Sequence, residues 1–317
     1  MNIDTDIDPD NNFLDYLNDN CHYYTDDNYS QCVKSDKEMS IIHFNSRSLY
    51  ANYEKIKEYL YQLKKSFSVI AITETWLTSE KGVDFILEGY EFNYINRKNK
   101  KGGGVALYIN NDLKYKVVEK MSVSVDEVME CITIEIQFEK QKNIMVSCVY
   151  RAPASDTEVF TNYMETLFAK MHQKVIFICG DFNIDMLNPN MVKSTSNFID
   201  TMHSLGLYPL ITKPSRITTH SSTLIDNIFT NYMESKLRSG LLINDISDHL
   251  PVFVILEDVC RKINKVTNIT YKRIISEDSI RALRNDLQSQ NWEVLYEERN
   301  IDKAFEIFIK TFKAFYD

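Results

Sequence analysis

The stretch KVIFICGDFN, residues 174–183, carries the strongest indication of the fold. Its apolar run predicts a buried strand, and the segment TEVFTNYMETLFAKMH just before it has apolar residues at helical spacing. Asp181 and Asn183 follow the apolar run directly. Because open α/β sheets place their ligand sites along strand ends, this stretch predicts a helix–strand unit with functional residues at its end.

The same arrangement recurs along the chain. Polar residues border other strand-like runs: Asn45 after IIHF, Glu74 after VIAIT, Tyr150 and Arg151 after MVSCV, Asp248 and His249 before LPVFVIL, and Asp226 within STLIDNIF. Each alone is commonly a turn residue, a cap or a satisfied structural pair. Their conjunction in order at strand ends favours one shared pocket.

The strands predict an α/β fold with mixed sheets. Hairpin-like pairs of strands alternate with strand–helix–strand units, which excludes a purely parallel sheet. Residues 1–39 predict an acidic, disordered tail, residues 40–258 the folded domain, and residues 259–317 an appended helical segment.

Composition narrows the class. The chain has 317 residues, 44% of them hydrophobic, and contains neither a signal-like N-terminus nor an apolar stretch long enough for a membrane span. Residues 1–39 hold ten acids against Lys34 and Lys37, so they account for −8 of the net −9. The remainder is nearly neutral, which suits a metal-assisted enzyme better than a nucleic-acid coat protein.

The residue types favour metal-assisted phosphodiester hydrolysis. Carboxylate and amide oxygens suit Mg²⁺, and there is no Cys/His cluster of zinc type. An acid beside an Asn can position and deprotonate a water, and a histidine held by an acid can stay protonated against a phosphate. On spacing alone, Asp248 and His249 could be a loop pair, half a metal site, or a base with its orienting carboxylate.

The ordered motifs HFNSRSL, IAITETWL, VYRAP, FICGDFN, STLIDNIFT and SDHLPV resemble the endonuclease/exonuclease/phosphatase superfamily over residues 40–257. GGGVALYI and ISDHLPV are similar to the apurinic-endonuclease-like endonuclease domain of LINE-type non-LTR retrotransposons. The resemblance implies a deoxyribonuclease I-like four-layer sandwich of two mixed β-sheets flanked by helices.

The resemblance also implies an activity. It implies an enzyme that uses Mg²⁺, or Mn²⁺ in its place, to nick one strand of double-stranded DNA. The nick leaves a 3′-hydroxyl that primes reverse transcription in the nucleus. The implied partners are the element RNA and a reverse transcriptase domain, which residues 259–317 would precede as a helical linker. No membrane partner is implied.

Site roles follow from the resemblance. The implied metal ligands are Glu74 and Asn45, and the implied catalytic residues are Asp181, Asn183, Tyr150, Asp226, Asp248 and His249. Asp181 would align or deprotonate the water, and Asp248 would orient His249 toward the phosphate. Tyr150 would contact the scissile phosphate with support from Arg151, and Ser247 would add a phosphate or backbone contact. Arg216, Thr218 or His220 would touch DNA from a surface loop.

Other functions stay open. A same-fold enzyme could cut at apurinic sites, or act as a phosphatase or phosphodiesterase on small or lipid phosphates. A catalytically inactive interaction module from a decayed element is the alternative of another class. Glu74, Asp181 and His249 are all present, which favours an intact enzyme.

Overall fold

The computed structural model describes residues 21–35, 37–77, 85–97, 102–139, 141–171, 173–232, 237–261 and 277–316. The chain divides into two compact units, residues 1–264 and residues 265–317. The first unit contains all the predicted site residues.

The first sheet has seven strands in the order β1-β15-β16-β2-β3-β5-β4. Their bounds are β1 Cys21–Tyr24, β2 Glu38–Asn45, β3 Val69–Thr73, β4 Tyr90–Ile95, β5 Val105–Asn110, β15 Leu237–Leu242 and β16 Val252–Cys260. Strands β2 and β3 run parallel, whereas β16 runs antiparallel to β2. The sheet is therefore mixed.

The second sheet follows the order β11-β14-β10-β9-β8-β6, with β7 paired to β8. Its strands are β6 Tyr115–Val117, β7 Val123–Val125, β8 Met129–Ile136, β9 Ile144–Arg151, β10 Val175–Asp181, β11 Tyr208–Pro209 and β14 Asp226–Thr230. Strands β9 and β10 are parallel, and β14 is antiparallel to β10. Strands β12 (Arg216–Ile217) and β13 (Ser222–Thr223) form a separate hairpin.

Helices cover the sheets. They are α1 Asp26–Cys32, α2 Leu49–Gln62, α3 Thr157–Phe168 and α4 Lys193–Ser204. Ile56 and Tyr59 of α2 share a buried cluster with Ile70 and Phe253 of the first sheet. On the second sheet, Phe198 of α4 packs against Phe229 of β14, with ring centroids 5.9 Å apart. The layers confirm the predicted α/β sandwich.

Alternation along the strands builds the core between the sheets. Ile41 of β2 belongs to a cluster with Val146 and Cys148 of the second sheet, whereas its neighbour Ile42 packs on the helix side. The thiol of Cys148 lies 3.5 Å from the carbonyl oxygen of Ile72. Because successive strand residues face opposite ways, both faces of these apolar strands are buried.

The prediction that residues 1–39 are disordered is wrong for the second half of that segment. Strand β1 pairs in parallel with β15, Cys21 is fully buried, and Tyr29 of α1 stacks near Phe67 with ring centroids 5.6 Å apart. The prediction failed because it rested on the acidic composition of the segment, whereas the short strand β1 within it completes the edge of the first sheet. Residues 1–20 of the predicted tail lie outside the described residues.

The domain also extends past residue 258. Strand β16 runs to Cys260, and the backbone N–H of Arg261 donates to the carbonyl of Lys37 at 2.7 Å. The second unit contains α5 Glu277–Ser289, α6 Glu293–Glu297 and α7 Ile301–Tyr316, with Trp292 packed near Phe308. Among the described helices, none combines the length and apolar character that a membrane crossing requires.

Candidate active site

The polar residues converge at one edge of the sandwich. Asn45 ends β2, Glu74 directly follows β3, and Asp181 ends β10. Asp226 begins β14, opposite Asp181 in the ladder, and His249 precedes β16. Because β14 and β16 run antiparallel to their neighbours, their first residues meet the last residues of β10 and β2.

Asn45 connects two acids. Its Nδ2 donates to Glu74 Oε1 at 3.0 Å and to Asp181 Oδ2 at 2.7 Å. Its Oδ1 accepts the backbone N–H of Arg47 at 3.0 Å. The amide nitrogen of Asn45 therefore bridges the two carboxylates, and its implied role as a metal ligand stays a prediction.

His249 is held by Asp226. The ring Nδ1 of His249 lies 2.8 Å from Asp226 Oδ2, which also accepts the hydroxyl of buried Ser215 at 2.8 Å. Asp248 makes no hydrogen bond to the ring; both its oxygens accept from arginines. The expectation that Asp248 orients His249 is wrong, because Asp226, distant in sequence, reaches the ring through the sheet.

The carboxylate of Asp226 stabilises the charged form of His249. Burial disfavours the imidazolium, but the charge of Asp226 and its hydrogen bond, together with the charges of Asp181 and Asp248, outweigh burial and raise the pKa of His249 to about 9. Burial likewise raises the pKa of Asp226, but the positive charge of His249 prevails and lowers it. His249 is therefore a cation at neutral pH, with Nε2 as the nitrogen left for a substrate.

Asp181 is a buried acid suited to accept a proton. Its side chain is fully buried, and its Oδ1 accepts the backbone N–H of Asn183 at 2.9 Å. Burial, followed by the nearby charge of Asp226, raises the pKa of Asp181 well above its ordinary range. A carboxylate of raised pKa is a stronger base than an exposed one.

A second histidine, His43, lies next to the Asp226–His249 pair. His43 lies two residues before Asn45 on the same face of β2, and its Nε2 is 3.0 Å from the hydroxyl of Thr73. Its Nδ1 is 3.8 Å from Asp226 Oδ1, and both atoms are buried with no hydrogen-bond partner among the described residues. Burial lowers the pKa of His43 to about 4, so the ring is neutral.

Asp248 lies at the rim of the site. Its Oδ1 accepts Nη1 of Arg47 at 2.7 Å, and its Oδ2 accepts Nε of Arg216 at 2.8 Å. Burial alone would raise the pKa of Asp248, but these two hydrogen bonds lower it to about 2. Asp248 is thus a fixed anion that holds Arg47 of the loop after β2 and Arg216 of strand β12.

Tyr150 lies beside the acids of the site. The guanidinium of Arg97 lies 5.8 Å from the centre of its ring, and Arg97 is paired with fully buried Glu130 at 2.7 Å. Burial, with the charges of Glu74 and Asp181, raises the pKa of Tyr150. Its hydroxyl therefore keeps its proton and is a donor suited to a phosphate oxygen.

Arg151 is structural. Its side chain is buried and donates to the carbonyl of Asn183 at 3.0 Å, to the carbonyl of Ser155, and to the hydroxyl of Thr157. In return, Nδ2 of Asn183 donates to the carbonyl of Arg151 at 2.8 Å. The expected phosphate or DNA contact of Arg151 is corrected, because these contacts hold the loop that carries Asn183.

Ser247 lies within the site, whereas Thr218 lies on an exposed turn. The hydroxyl of Ser247 donates to the carbonyls of Asn45 and His249, which is the expected backbone contact; its phosphate contact stays a prediction. Thr218 lies in the exposed turn between β12 and β13, where its Oγ1 accepts the backbone N–H groups of His220 and Ser221. That turn is accessible to a ligand.

The loops around the site contain unusual backbone. Arg47, Ser48, Glu74 and Asn183 all have positive φ, at 42°, 91°, 52° and 49°. Non-glycine residues rarely adopt this conformation, and each costs about 1–3 kcal/mol. Hydrogen bonds across the loops, such as Ser48 N–H to the carbonyl of Glu74 at 2.9 Å, hold it in place.

The donor set fits a divalent metal. Glu74 is half-buried, its Oε1 is steadied by Asn45, and its second carboxylate oxygen accepts no hydrogen bond from the described residues. Asp181, Asp226 and His249 bring ligand atoms within 4.8 Å of one another, so they too could hold an ion. A protonated histidine does not bind a metal ion, so cationic His249 is a poor ligand. The metal position next to Glu74 is therefore favoured.

Sequence reasoning missed three residues of this site. They are Arg47, which the sequence shows only as part of the motif HFNSRSL, Ser215, which lies in the segment interpreted as a surface loop, and His43. His43 could have been found, because strand periodicity of two places it on the face of Asn45. Ser215 and Arg47 carry no such signal; their roles depend on loops that meet only in the folded chain.

Two packed mixed sheets with acids, an amide and a histidine at their strand ends define a deoxyribonuclease I-like hydrolase. The chain belongs to the Endonuclease/Exonuclease/phosphatase family, whose model matches residues 42–249. Members of this family are hydrolytic nucleases and phosphatases, typically dependent on divalent metal. A search of curated proteins finds no match to this sequence.

Solved structures share the fold. The endonuclease domain of TRAS1, a telomere-specific non-LTR retrotransposon, is 15% identical with a TM-score of 0.55, covering 69% of this chain and 98% of that one. The AP endonuclease LMAP from Leishmania major is 13% identical with a TM-score of 0.57, covering 71% and 90%. An AP endonuclease from Archaeoglobus fulgidus is 15% identical with a TM-score of 0.54, covering 69% and 99%.

Proposed function

We propose that this protein is a Mg²⁺-dependent DNA endonuclease that nicks one strand and leaves a 3′-hydroxyl. The observation that carries the proposal is one cluster in which Asp226 holds cationic His249 and Asn45 links buried Asp181 to Glu74, with ligand atoms of Asp181, Asp226 and His249 within 4.8 Å of one another. The set supplies a base, a positive charge for the phosphate and a carboxylate for a metal within one site.

The residues divide the reaction between them. Asp181 accepts a proton from a water as the water oxygen forms a bond to phosphorus, and Asn183 lies beside it. The bond between phosphorus and O3′ breaks in the same displacement, and the leaving O3′ takes a proton from solvent water to become the 3′-hydroxyl. His249, fixed by Asp226, presents Nε2–H to a non-bridging oxygen, and the hydroxyl of Tyr150 donates to the same phosphate.

Glu74 would hold the metal ion. When bound, the ion neutralises charge on the phosphate oxygens. The oxygen donors favour Mg²⁺, and Mn²⁺ would replace it.

The cellular setting is also proposed. The retrotransposon-like motifs and the shared fold with the TRAS1 endonuclease domain support action on double-stranded nuclear DNA. There the 3′-hydroxyl would prime reverse transcription of an element RNA by a reverse transcriptase domain. Exposed Arg216 and Thr218 at the β12–β13 hairpin would contact the duplex.

Plasmid nicking tests the activity. Wild-type protein should convert supercoiled plasmid to open circles with Mg²⁺ but not with EDTA, whereas Asp181→Asn and His249→Ala should be at least about 100-fold slower. Extension of the nicked product by a DNA polymerase would identify the 3′-hydroxyl. Equal background nicking by all three proteins would contradict the proposal and support an inactive interaction module.

Substrate panels separate the same-fold alternatives. Intact duplex, duplex with one abasic site, and an inositol phosphate should be compared under the same conditions. The proposal expects intact duplex to be cut. Cleavage confined to the abasic site would indicate a repair-type activity, and phosphate release from the inositol phosphate alone would indicate a phosphatase.

A further inference from the structure

One carboxylate at the rim of the site holds two arginines. Each oxygen of Asp248 accepts from a different guanidinium, Arg47 at 2.7 Å and Arg216 at 2.8 Å. Because both donors bind the same carboxylate, the two guanidiniums are held next to a single anion. Their side chains remain 50% and 39% exposed. We call Arg47, Arg216 and Asp248 the arginine clamp.

The clamp has unused hydrogen-bonding capacity. A guanidinium carries five N–H donors in a planar fork that matches phosphate oxygens. Among the described residues, Asp248 is the side-chain hydrogen-bond partner of both arginines, with one bond to each. Two positive charges against one negative charge leave a net charge of +1, which matches one phosphodiester.

The clamp is attached to the catalytic residues on both sides. Arg47 follows Asn45 by two residues, and its backbone N–H donates to Asn45 Oδ1 at 3.0 Å. Arg216 forms an isolated β-bridge with His249, and the backbone N–H of Leu250 donates to the carbonyl of Ser215 at 2.7 Å. A ligand on the clamp would therefore lie next to the reacting phosphate.

We propose that Arg47 and Arg216, positioned by Asp248, jointly bind one backbone phosphate of the DNA strand adjacent to the scissile phosphate. This inference rests on the proposed function. His249 and Asp181 are buried, so the scissile phosphate belongs deeper in the site than the exposed clamp. Phosphate contacts of this kind fix the register of the strand without reading its sequence.

Salt-dependent binding tests the clamp without turnover. The affinity of a fluorescent duplex for the full chain would be measured by anisotropy in EDTA over a range of salt concentrations, for wild type, Arg47→Gln, Arg216→Gln and the double variant. Arg238→Gln is the matched control. Arg238 pairs with Glu257 at 2.7 Å, as Lys34 does at 2.6 Å. Glu257 lies about 17 Å along β16 from Val252, the strand residue nearest the site, so Arg238 is an arginine in a similar ion pair away from the clamp.

The clamp predicts a non-additive result. Each single variant should bind about tenfold more weakly and lower the slope of log Kd against log salt by about 0.9, the value for one phosphate. The double variant should lose little more slope than either single variant, because both arginines serve the same phosphate. Arg238→Gln should bind like wild type. Arg47→Lys should keep the slope while losing affinity, since lysine lacks the planar fork.

Three results would overturn the inference. The first is binding by both single variants that equals the control, and the second is a slope loss in the double variant that is twice that of either single variant. The third is absence of duplex binding by the folded wild type, judged from its thermal unfolding. The expected binding pattern in a protein that fails to nick with Mg²⁺ would support the clamp and contradict only the proposed endonuclease activity.

Discussion

Replacing Asp226 with Asn tests the central pair of the site. The substitution keeps the size of the side chain and an oxygen that can accept from His249, but it removes the charge. The rise in the pKa of His249 from 6.5 to about 9 corresponds to about 3 kcal/mol in favour of the imidazolium. Because His249 is only 6% exposed, solvent screens little of this interaction.

Without that charge, burial should dominate. The pKa of His249 in Asp226→Asn should fall below 6.5, leaving the ring neutral at pH 7. Nicking at pH 7 should slow by about 100–1000-fold, the usual loss when one charge-stabilising group is removed. Initial rates on supercoiled plasmid would measure the activity, and an NMR titration of the metal-free protein would measure the pKa.

Asp248→Asn is the matched comparison. Asp248 makes no hydrogen bond to the ring, so this variant should keep the pKa of His249 within about one unit of 9. A pKa near 9 in Asp226→Asn, or a larger fall in Asp248→Asn than in Asp226→Asn, would refute the reasoning and restore the role expected from sequence.

The stability of the folded protein should depend on the protonation of His249. Since folding raises the pKa of His249, the pair stabilises the folded protein fully below pH 6.5, and this contribution disappears as pH rises through about 9. The free energy of unfolding in urea should therefore fall between those values for wild type and change less for Asp226→Asn. Parallel pH profiles for the two proteins would contradict the assignment.

Three further predictions concern other residues. Glu74→Gln should weaken Mn²⁺ binding by at least about tenfold in calorimetric titration, whereas Glu54→Gln on the exposed surface of α2 should not; equal affinities would exclude Glu74 as a ligand. Arg151→Met should lower the free energy of unfolding by about 2–4 kcal/mol because it leaves buried carbonyls unpaired; weaker DNA binding at unchanged stability would indicate a phosphate contact instead. Tyr29→Ala should cost about 3–5 kcal/mol in urea denaturation, against at most about 0.5 kcal/mol for exposed Tyr61→Ala; a small effect at Tyr29 would restore the disordered tail.

Local patterns were sufficient for much of the fold. The apolar runs before Asn45, Glu74 and Asp181 form strands β2, β3 and β10, and the helical spacing at residues 157–168 forms α3. Such runs identify strands because burial on both faces demands continuous apolar residues. Strand β1 escaped detection because it is short and lies in an acidic segment, and only its pairing with β15 reveals it.

The sequence by itself determined the family, the strand-end placement of the acids and the types of group available for chemistry. Tertiary structure decided which groups touch. Asp248 is adjacent to His249 in sequence, yet its carboxylate accepts hydrogen bonds from Arg47 and Arg216 at the rim and none from the ring. Asp226 reaches His249 because two sheets pack face to face, a contact between distant strands that no local pattern encodes.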